Sequence, residues 1–426
     1  MIFFYGLGLL AFLAIGLPVA VSILLVGILA VVIAGVPPSI IAERMIFGLD
    51  SFLLIAIPLF LLMGNLMNAS GITNRIFAFA GSLVGHWRAG LAQVNVLSSI
   101  IFSGMSGSAL ADAAGLGAIE VEAMRKAGYK PAYAAAVTAA SATIGPIMPP
   151  SIASILYAFI ADVSVGRMFL AGILPALLMT FVLMVTIHLR AGTQNLPKAP
   201  KVSGARRAHE FWLALPALFV PVVLIGGMRT GIFTATELAA VGVLYSALLG
   251  FAYRQMGAAS FYRACRSAAL HSGAILLIVA AAHVFAWALA HEQIPQHLAQ
   301  LVGSLNLDRW MFLILINVVL LVLGMLLDTT AILILVAPVM VPVVTAMGID
   351  PVHFGIVMIV NMMIGLITPP VGMALFVTAS IADVSAASVA RESVPYVVAL
   401  ILVLSLITFV PQVVLFLPDL AYGVSQ

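Results

Sequence analysis

Charge is what this sequence lacks most. Only 8% of its 426 residues are Asp, Glu, Lys or Arg, against 64% hydrophobic, whereas a soluble domain has roughly a quarter of its residues charged. That shortfall excludes a soluble enzyme and leaves a polytopic membrane protein as the class that fits. Cysteine is almost missing as well. Cys265 stands alone, so no internal disulfide can form, and no His or Cys lies near it at zinc-ligand spacing. The opening Met1-Ile2-Phe3-Phe4-Tyr5 has no basic n-region and runs straight into an apolar stretch, which reads as the first membrane segment rather than a secretory signal. The net charge is only +3, and basic residues sit in short clusters between apolar runs, as topology determinants do. Nucleic-acid binding has no support, and no stretch is polar enough for a separate soluble domain.

What is present is a series of apolar runs, many about as long as the ~20 residues one helix needs to cross the hydrocarbon core. Between Arg190 and Arg207 lie Lys198, Lys201 and Arg206 with no acidic residue, interrupted by Pro197 and Pro200. Residues 190–210 therefore read as a cytoplasmic linker between two halves. A second acid-free cluster, Arg254, Arg263 and Arg266, falls two spans later, on the side that parity requires.

Sliding the chain along itself reveals an ungapped repeat at an offset of 220 residues between 104–150 and 324–370. The informative matches are Gly104/Gly324, Gly128/Gly348, Pro131/Pro351, Gly145/Gly365, Pro149/Pro369 and Pro150/Pro370, because apolar bias alone rarely aligns so many residues with special backbone chemistry. Ile160–Ser164 and Ile381–Ser385 repeat the string IADVS, and Gly81-Ser82-Leu83 echoes Gly303-Ser304-Leu305.

Taking 95–124 and 310–346 as re-entrant hairpins, each half crosses about five times. An odd number inverts the second half relative to the first, the plan of many secondary transporters. The predicted fold is thus an all-α membrane protein of two inverted repeats. The first spans 1–189 with broken helix 131–161. The second spans 211–416 with broken helix 351–382, and 417–426 form a periplasmic tail. Parity depends on whether Gly16-Leu17-Pro18 is a turn between two crossings or a kink within one.

The chemistry is expected at the duplicated breaks. Ile144–Ser151 reads IGPIMPPS and Ile364–Gly372 reads IGLITPPVG. Tandem prolines remove backbone donors, so no helix runs through either site unbroken. Irregular backbone at membrane depth is tolerated where it is buried or lines a cavity, and its carbonyls are the usual Na⁺ ligands. A structural Pro kink is the bland alternative, weakened by the duplication. The first hairpin tip, Ser103-Gly104-Met105-Ser106-Gly107-Ser108-Ala109, and the second, Gly324 with Asp328-Thr329-Thr330, add hydroxyls and a carboxylate. Both tips read as ion and solute sites, against small-residue helix packing as the alternative. Asp328 carries most weight, since an ionisable residue in an apolar hairpin is costly without a function. Asp112 also lies in the first hairpin. Glu120 and Glu122 approach its basic exit at Arg125 and Lys126 and read as solvated or ion-paired. Asp162 and Asp383 read as helix N-caps. The scattered histidines, His271, His283 and His291 among them, show no catalytic spacing. Gly104-Met105-Ser106-Gly107 matches the GxSG of intramembrane serine proteases, but the duplicate carries Leu326 in place of Ser106, and a single-site protease has no use for a duplicated architecture.

Three segments carry a family resemblance: AMRKAGYKPAYAAAVTAASATIGPIMPPSI at Ala123–Ile152, LDSFLLIAIPLFLLMGNLM at 49–67 and ITPPVGMALFV at 367–377. They resemble the large membrane (permease) subunit of tripartite ATP-independent periplasmic (TRAP) transporters, over essentially the whole chain. The resemblance implies a bacterial inner-membrane importer of the ion-transporter-superfamily fold, with a scaffold and an elevator-like mobile domain. It implies partnership with a small membrane subunit and a periplasmic protein that delivers an organic acid such as a C4-dicarboxylate or a sialic acid. It also implies coupling to two or more Na⁺ ions and no organic cofactor. Carried onto this sequence, the ion ligands fall at Ser103, Ser106, Gly145, Pro149, Gly324, Asp328, Gly365 and Thr368, and solute contacts at Ser108, Thr329, Thr330, Pro150 and Pro370. The residue-level alternatives are a proton-coupled carrier or a channel of the same architecture, and the protease at Ser106.

Overall fold

The computed structural model describes residues 2–194, 200–229, 232–304 and 308–423, and among them there are helices and no strand. The first half comprises α1 (Ile2–Ala14), α2 (Val19–Ile33), α3 (Ser39–Leu49), α4 (Ala56–Ala69), α5 (Ile72–Val84), α6 (Gly90–Ser106), α7 (Ala109–Ala114), α8 (Leu116–Lys126), α9 (Pro131–Ala142), α10 (Ile152–Ala161) and α11 (Val165–Gln194). The second comprises α12 (Gly204–Arg229), α13 (Ala235–Ala252), α14 (Ala258–His291), α15 (Ile294–Ser304), α16 (Arg309–Leu326), α17 (Thr329–Ala346), α18 (Pro351–Gly365), α19 (Met373–Ala382), α20 (Ala386–Phe409) and α21 (Pro411–Tyr422). Among the described residues, eight helices are long and apolar enough to cross a membrane.

The duplication appears in the order of elements. Hairpin α6–α8 followed by broken helix α9–α10 and long α11 is matched by hairpin α16–α17, broken helix α18–α19 and α20. At the N-terminus the chain turns at Gly16 (φ 86°), and a Cβ on Gly8 would lie 3.6 Å from Val26 Cγ2, so α1 folds back on α2 as a separate helix. Both long helices reach into 190–210. Helix α11 continues to Gln194 and α12 already begins at Gly204; Pro197 and Lys198 of that linker, Leu305 of the upstream echo and 424–426 of the tail lie outside the described residues.

Helices α2, α3, α4, α13 and α14 pack on one another, with α12 on α13 and α5. The hairpins, broken helices, α11, α20 and α21 form a second group. At its centre are α9 and α18. Every residue of α18 from Val352 to Gly365 is buried, as is every residue of α9 from Tyr133 to Ala142. Helices in lipid gain little from hydrophobic exclusion and associate through close packing of small side chains and interhelical hydrogen bonds. The alanine run of α9 supplies the first. Asn361 supplies the second, its amide donating to Asn317 Oδ1 at 2.7 Å and so tying α18 to the first arm of hairpin two.

Helix α11 is pinned near both ends. Arg167 pairs with Asp419 of α21 at 2.6 Å, and Arg190 pairs with Glu392 of α20 at 2.7 Å. The two arginines are roughly 35 Å apart along the helix at 1.5 Å per residue, a separation that suits the two faces of a bilayer. Arg190 also lies 5.5 Å from the Tyr133 and Tyr396 ring centroids. Arg190→Met, which strands Glu392 in this half-buried setting, is expected to cost about 1–3 kcal/mol; thermal unfolding of the purified protein checks it.

Asp162 and Asp383 do not N-cap the following helices: each ends the preceding one in a left-handed conformation (φ 52° and 56°), which short polar side chains tolerate. The N-caps are the serines two residues on, Ser164 Oγ accepting from Arg167 N and Ser385 Oγ from Ser388 N. Glu120 is not solvated but 1% exposed. It faces the other arm of its hairpin and accepts a hydrogen bond from Ser98 at 2.5 Å, while Glu122, exposed, pairs with Lys126 at 2.6 Å.

Candidate ion and solute site

Both hairpin tips are two-residue turns 220 positions apart. In the first, Gly107 (φ 63°) ends α6 and extended Ser108 begins α7, its Oγ accepting from Ala111 N at 3.4 Å. In the second, Leu327 and Asp328 are both extended, and Asp328 Oδ2 accepts from Thr330 N at 3.0 Å. The left-handed turn needs Gly, and the two caps need short polar side chains, so these residues are where the sequence can reverse direction inside an apolar segment.

Each tip lies on the break of its own half. In the first half, a Cβ on Gly107 would fall 2.7 Å from the Pro150 carbonyl oxygen, so only glycine lets hairpin and break approach so closely there; one on Gly104 would meet the Pro149 carbonyl oxygen at an ordinary 3.6 Å and be stopped instead by Pro221 of α12 at 2.6 Å. Ser151 restarts the chain as α10: its Oγ accepts from Ser154 N at 3.0 Å and its hydroxyl donates to the Pro146 carbonyl. In the second half, Gly324 and Gly365 are in backbone contact, a Cβ on Gly365 falling 2.5 Å from the Gly324 carbonyl carbon. Gly372 N donates to the Met325 carbonyl at 3.2 Å. The Pro149–Pro150 and Pro369–Pro370 bonds are both cis.

The first half holds a carboxylate that sequence reasoning left out of the site. Asp112 is 2% exposed. Its Oδ1 accepts the Ser106 hydroxyl, its Oδ2 has no partner among the described residues, and a Cβ on Gly145 would lie 2.5 Å from that oxygen. A buried carboxylate oxygen without a donor is costly, and its chemistry suits a cation or a proton as the missing partner. The one sequence signal for it was its position on the first turn after the Ser108 cap. Ser103, fully buried nearby, donates to the Ser99 carbonyl at 2.6 Å, and Thr368 in the second break donates to the Ile364 carbonyl at 2.6 Å.

A cavity of about 260 Å³ joins the halves, lined by Ser108, Pro146 and Ile152 from the first, Asp328, Thr329, Thr330 and Met363 from the second, and Leu61, His271, Ile275 and Ile278 from α4 and α14. It lies where the second group of helices meets the first. Of the expected solute contacts, Ser108, Thr329 and Thr330 line it. Pro150 is buried behind it against Gly107. Pro370 is exposed and opens instead into a separate groove of about 520 Å³ with Phe376, Arg391 and Val394. Of the expected ion ligands, Ser106, Gly145 and Pro149 gather around Asp112 and hairpin one, and Gly324 meets Gly365, whereas Asp328 faces the cavity.

This pairing of hairpin tips with duplicated Pro-Pro breaks has a counterpart among known families. The model of the DctM component of tripartite ATP-independent periplasmic transporters matches residues 7–413. The chain belongs to that family. It is 41% identical to the sialic acid TRAP transporter large permease SiaM of Vibrio cholerae, covering 98% of this chain and 99% of that one. It is 40% identical to the C4-dicarboxylate large permease DctM of Pseudomonas aeruginosa, covering 87% of each, and 37% identical to the 2,3-diketo-L-gulonate large permease YiaN of Escherichia coli, covering 96% of each. In fold it is similar to the Alcanivorax borkumensis YdaH transporter, with a TM-score of 0.63 at 16% identity over 86% of each chain. Neisseria gonorrhoeae MtrF gives 0.59 at 14% identity over 87% and 84%. A DctM permease is an inner-membrane transport component and not an enzyme, which removes the protease reading.

Proposed function

We propose that this DctM permease couples the inward flow of Na⁺ to uptake of an anionic organic solute, delivered by a soluble periplasmic protein and carried together with a small membrane subunit. The observation that carries the sodium reading is the orphaned Oδ2 of Asp112, buried against Gly145 beside Ser106 and the carbonyls of the first break. Residues of this kind fit Na⁺, for which unwound backbone carbonyls and short oxygen side chains are the usual ligands. Ser103, Ser106, Asp112, Gly145 and Pro149 would hold one ion. Gly324, Gly365 and Thr368, with Asp328 at the edge, would hold a second, while Ser108, Thr329 and Thr330 hydrogen-bond the solute. When bound, the ions supply positive charge beside an anion that no Lys or Arg in the cavity lining would otherwise meet.

Na⁺ titration of the purified membrane complex tests this. Thermal stabilisation should saturate with Na⁺, be absent with K⁺ or choline, and weaken roughly tenfold in half-saturation for Ser106→Ala. Stabilisation that does not distinguish Na⁺ from K⁺ contradicts it.

The elevator-like motion is supported by the seam on which the cavity lies. Leu156, Phe159 and Ile160 of α10 and Ile334 and Pro338 of α17 face Val279, Ala282 and Ala286 of α14 across a largely apolar cleft, a surface with few bonds to break on sliding. Ala282→Cys with Ile334→Cys, across the cleft and in a Cys265→Ser background, should lose uptake on oxidation and recover it on reduction. Uptake indifferent to the cross-link contradicts a mobile hairpin domain.

A proton-coupled reading has one observation in its favour, the second buried carboxylate Glu120 on the same hairpin. It predicts uptake driven by a pH gradient without Na⁺.

A further inference from the structure

The two Pro-Pro breaks differ in what covers them. Pro149 and Pro150 are buried, whereas Pro369, Pro370 and Val371 are exposed. Irregular backbone at membrane depth is tolerated where its polar groups are satisfied or where it lines a cavity. The tandem prolines remove two donors from this stretch, and Gly372 N is already bonded to the Met325 carbonyl at 3.2 Å, so only the Val371 N–H remains to be placed. The exposed face of the second break thus suits an apolar neighbour.

That face is one end of the groove of about 520 Å³. Its walls are Leu375 and Phe376 of α19 and Ala387, Ala390 and Val394 of α20, with Phe376 53% and Val394 55% exposed. Helix α19 is ten residues long, roughly 15 Å at 1.5 Å per residue, so the groove runs from the turn that opens α20 to about the middle of a ~30 Å hydrocarbon core. Near the opening turn stands Arg391, exposed and the one charged side chain of the lining among the described residues. Glu392 beside it is taken by Arg190, and Arg391 forms no ion pair among the described residues. The pairing with Arg190 sets the depth: that residue lies near the end of α11, after which come Lys201, Arg206 and Arg207, on the side of the bilayer that basic residues mark as cytoplasmic.

An unpaired guanidinium at headgroup level above an apolar trough complements a phospholipid. A free anion has a use for Arg391 and none for the trough. A helix of another protein would have to bring a carboxylate to a depth where charge is costly. Among headgroups, a zwitterionic one carries its own cation toward Arg391, while an anionic one brings no such repulsion.

We infer that the groove between α19 and α20 is a binding site for an anionic phospholipid of the cytoplasmic leaflet, its phosphate on Arg391 and one acyl chain laid along Phe376 and Ala390 to the Pro369–Pro370 break. The acyl chain closes the side of the second break that the described residues leave open. The site stands or falls independently of Na⁺ coupling and of the solute.

The test is photolabelling of this chain with its small membrane subunit in phosphatidylcholine nanodiscs, using trace phosphatidylglycerol or phosphatidylcholine with a diazirine on one acyl chain and mapping the labelled peptides by mass spectrometry. Relative to label on α12, the phosphatidylglycerol probe should mark residues 369–376 and 386–394 roughly fivefold more than the phosphatidylcholine probe does, and excess glycerol 3-phosphate, a headgroup without a chain, should not reduce it. Arg391→Gln should bring the two probes to parity in the groove, and Ala390→Trp, which fills the trough, should remove the label from both. Size-exclusion profiles and unfolding temperatures matching the parent show that these outward-facing variants are folded. Equal marking of groove and α12 by both probes in the parent overturns the inference, as does groove label indifferent to Arg391→Gln. Loss of label to glycerol 3-phosphate would make it an anion site instead, and a photocross-link from position 376 to the small subunit or to a second copy would show protein, not lipid, in the groove; either outcome also overturns it.

Discussion

Asp112→Asn should abolish the stabilisation that Na⁺ confers, raising the half-saturating Na⁺ concentration by roughly 10- to 100-fold and lowering uptake in parallel. The substitution keeps the size of the side chain and an acceptor for the Ser106 hydroxyl, so the hairpin retains its shape. It removes the charge. A carboxylate 2% exposed with one oxygen unpartnered destabilises the ion-free protein, and the neutral amide relieves that cost. The unfolding temperature of Asp112→Asn in Na⁺-free buffer should therefore equal or exceed that of the parent, with the order reversed at high Na⁺. This crossover distinguishes an ion site from simple packing damage, which lowers the unfolding temperature at every salt concentration. If instead Na⁺ half-saturation stays within twofold while uptake is lost, Asp112 serves a proton and the proton-coupled reading gains. Glu120→Gln provides the companion measurement: bonded to Ser98 and farther from the break, it should leave Na⁺ affinity within a few-fold.

Gly365→Ala should be among the most damaging single methyl additions in the protein. The added Cβ would fall 2.5 Å from the Gly324 carbonyl carbon and 2.7 Å from its Cα. Both are backbone atoms, so relief requires hairpin two to move off the broken helix. Overpacking of this kind costs typically 1–3 kcal/mol, and here it also separates the tip from the break. Uptake should fall below a tenth of the parent value even where the protein is inserted and folded, as judged by size-exclusion profile. Gly348→Ala is a useful contrast. That glycine has open space around it but a φ of 70°, so its cost should be confined to backbone strain of about 1 kcal/mol with coupling preserved. Near-normal uptake by Gly365→Ala would mean that hairpin and break need not touch.

The duplicated breaks were legible because a tandem Pro-Pro with a glycine a few residues before it cannot continue a helix, whereas single prolines such as Pro175 and Pro216 lie inside α11 and α12. The tips were legible for the same reason, with Gly107, Ser108 and Asp328 at positions that only a turn and a cap explain. What stayed hidden depended on partners from distant parts of the chain. Hairpin one was read from residue 95, yet α6 begins at Gly90. Gln93 and Asn95 look polar in one dimension, but both are fully buried, the first donating to the Met184 carbonyl at 3.0 Å and the second to Thr138 at 2.7 Å. Glu120 was misread for the same cause, since Ser98 lies on the opposite arm. Asp112 was undervalued because nothing local says that its neighbour in space is Gly145. The separation of Pro370 from the cavity could not be anticipated from its symmetry with Pro150, because burial at a pseudo-symmetric pair is set by what packs outside it.

Solute should move only when the ion gradient and the delivered solute act together on the hairpin-tip cavity. The decisive measurement is uptake of labelled organic acid into proteoliposomes containing this chain, its small membrane subunit and the cognate soluble protein, with and without an inward Na⁺ gradient. Uptake should require both the gradient and the soluble protein, saturate with solute, and be lost in Asp328→Ala. Solute that equilibrates without either, at a rate indifferent to Asp328, would make the molecule a duplicated pore rather than a coupled carrier.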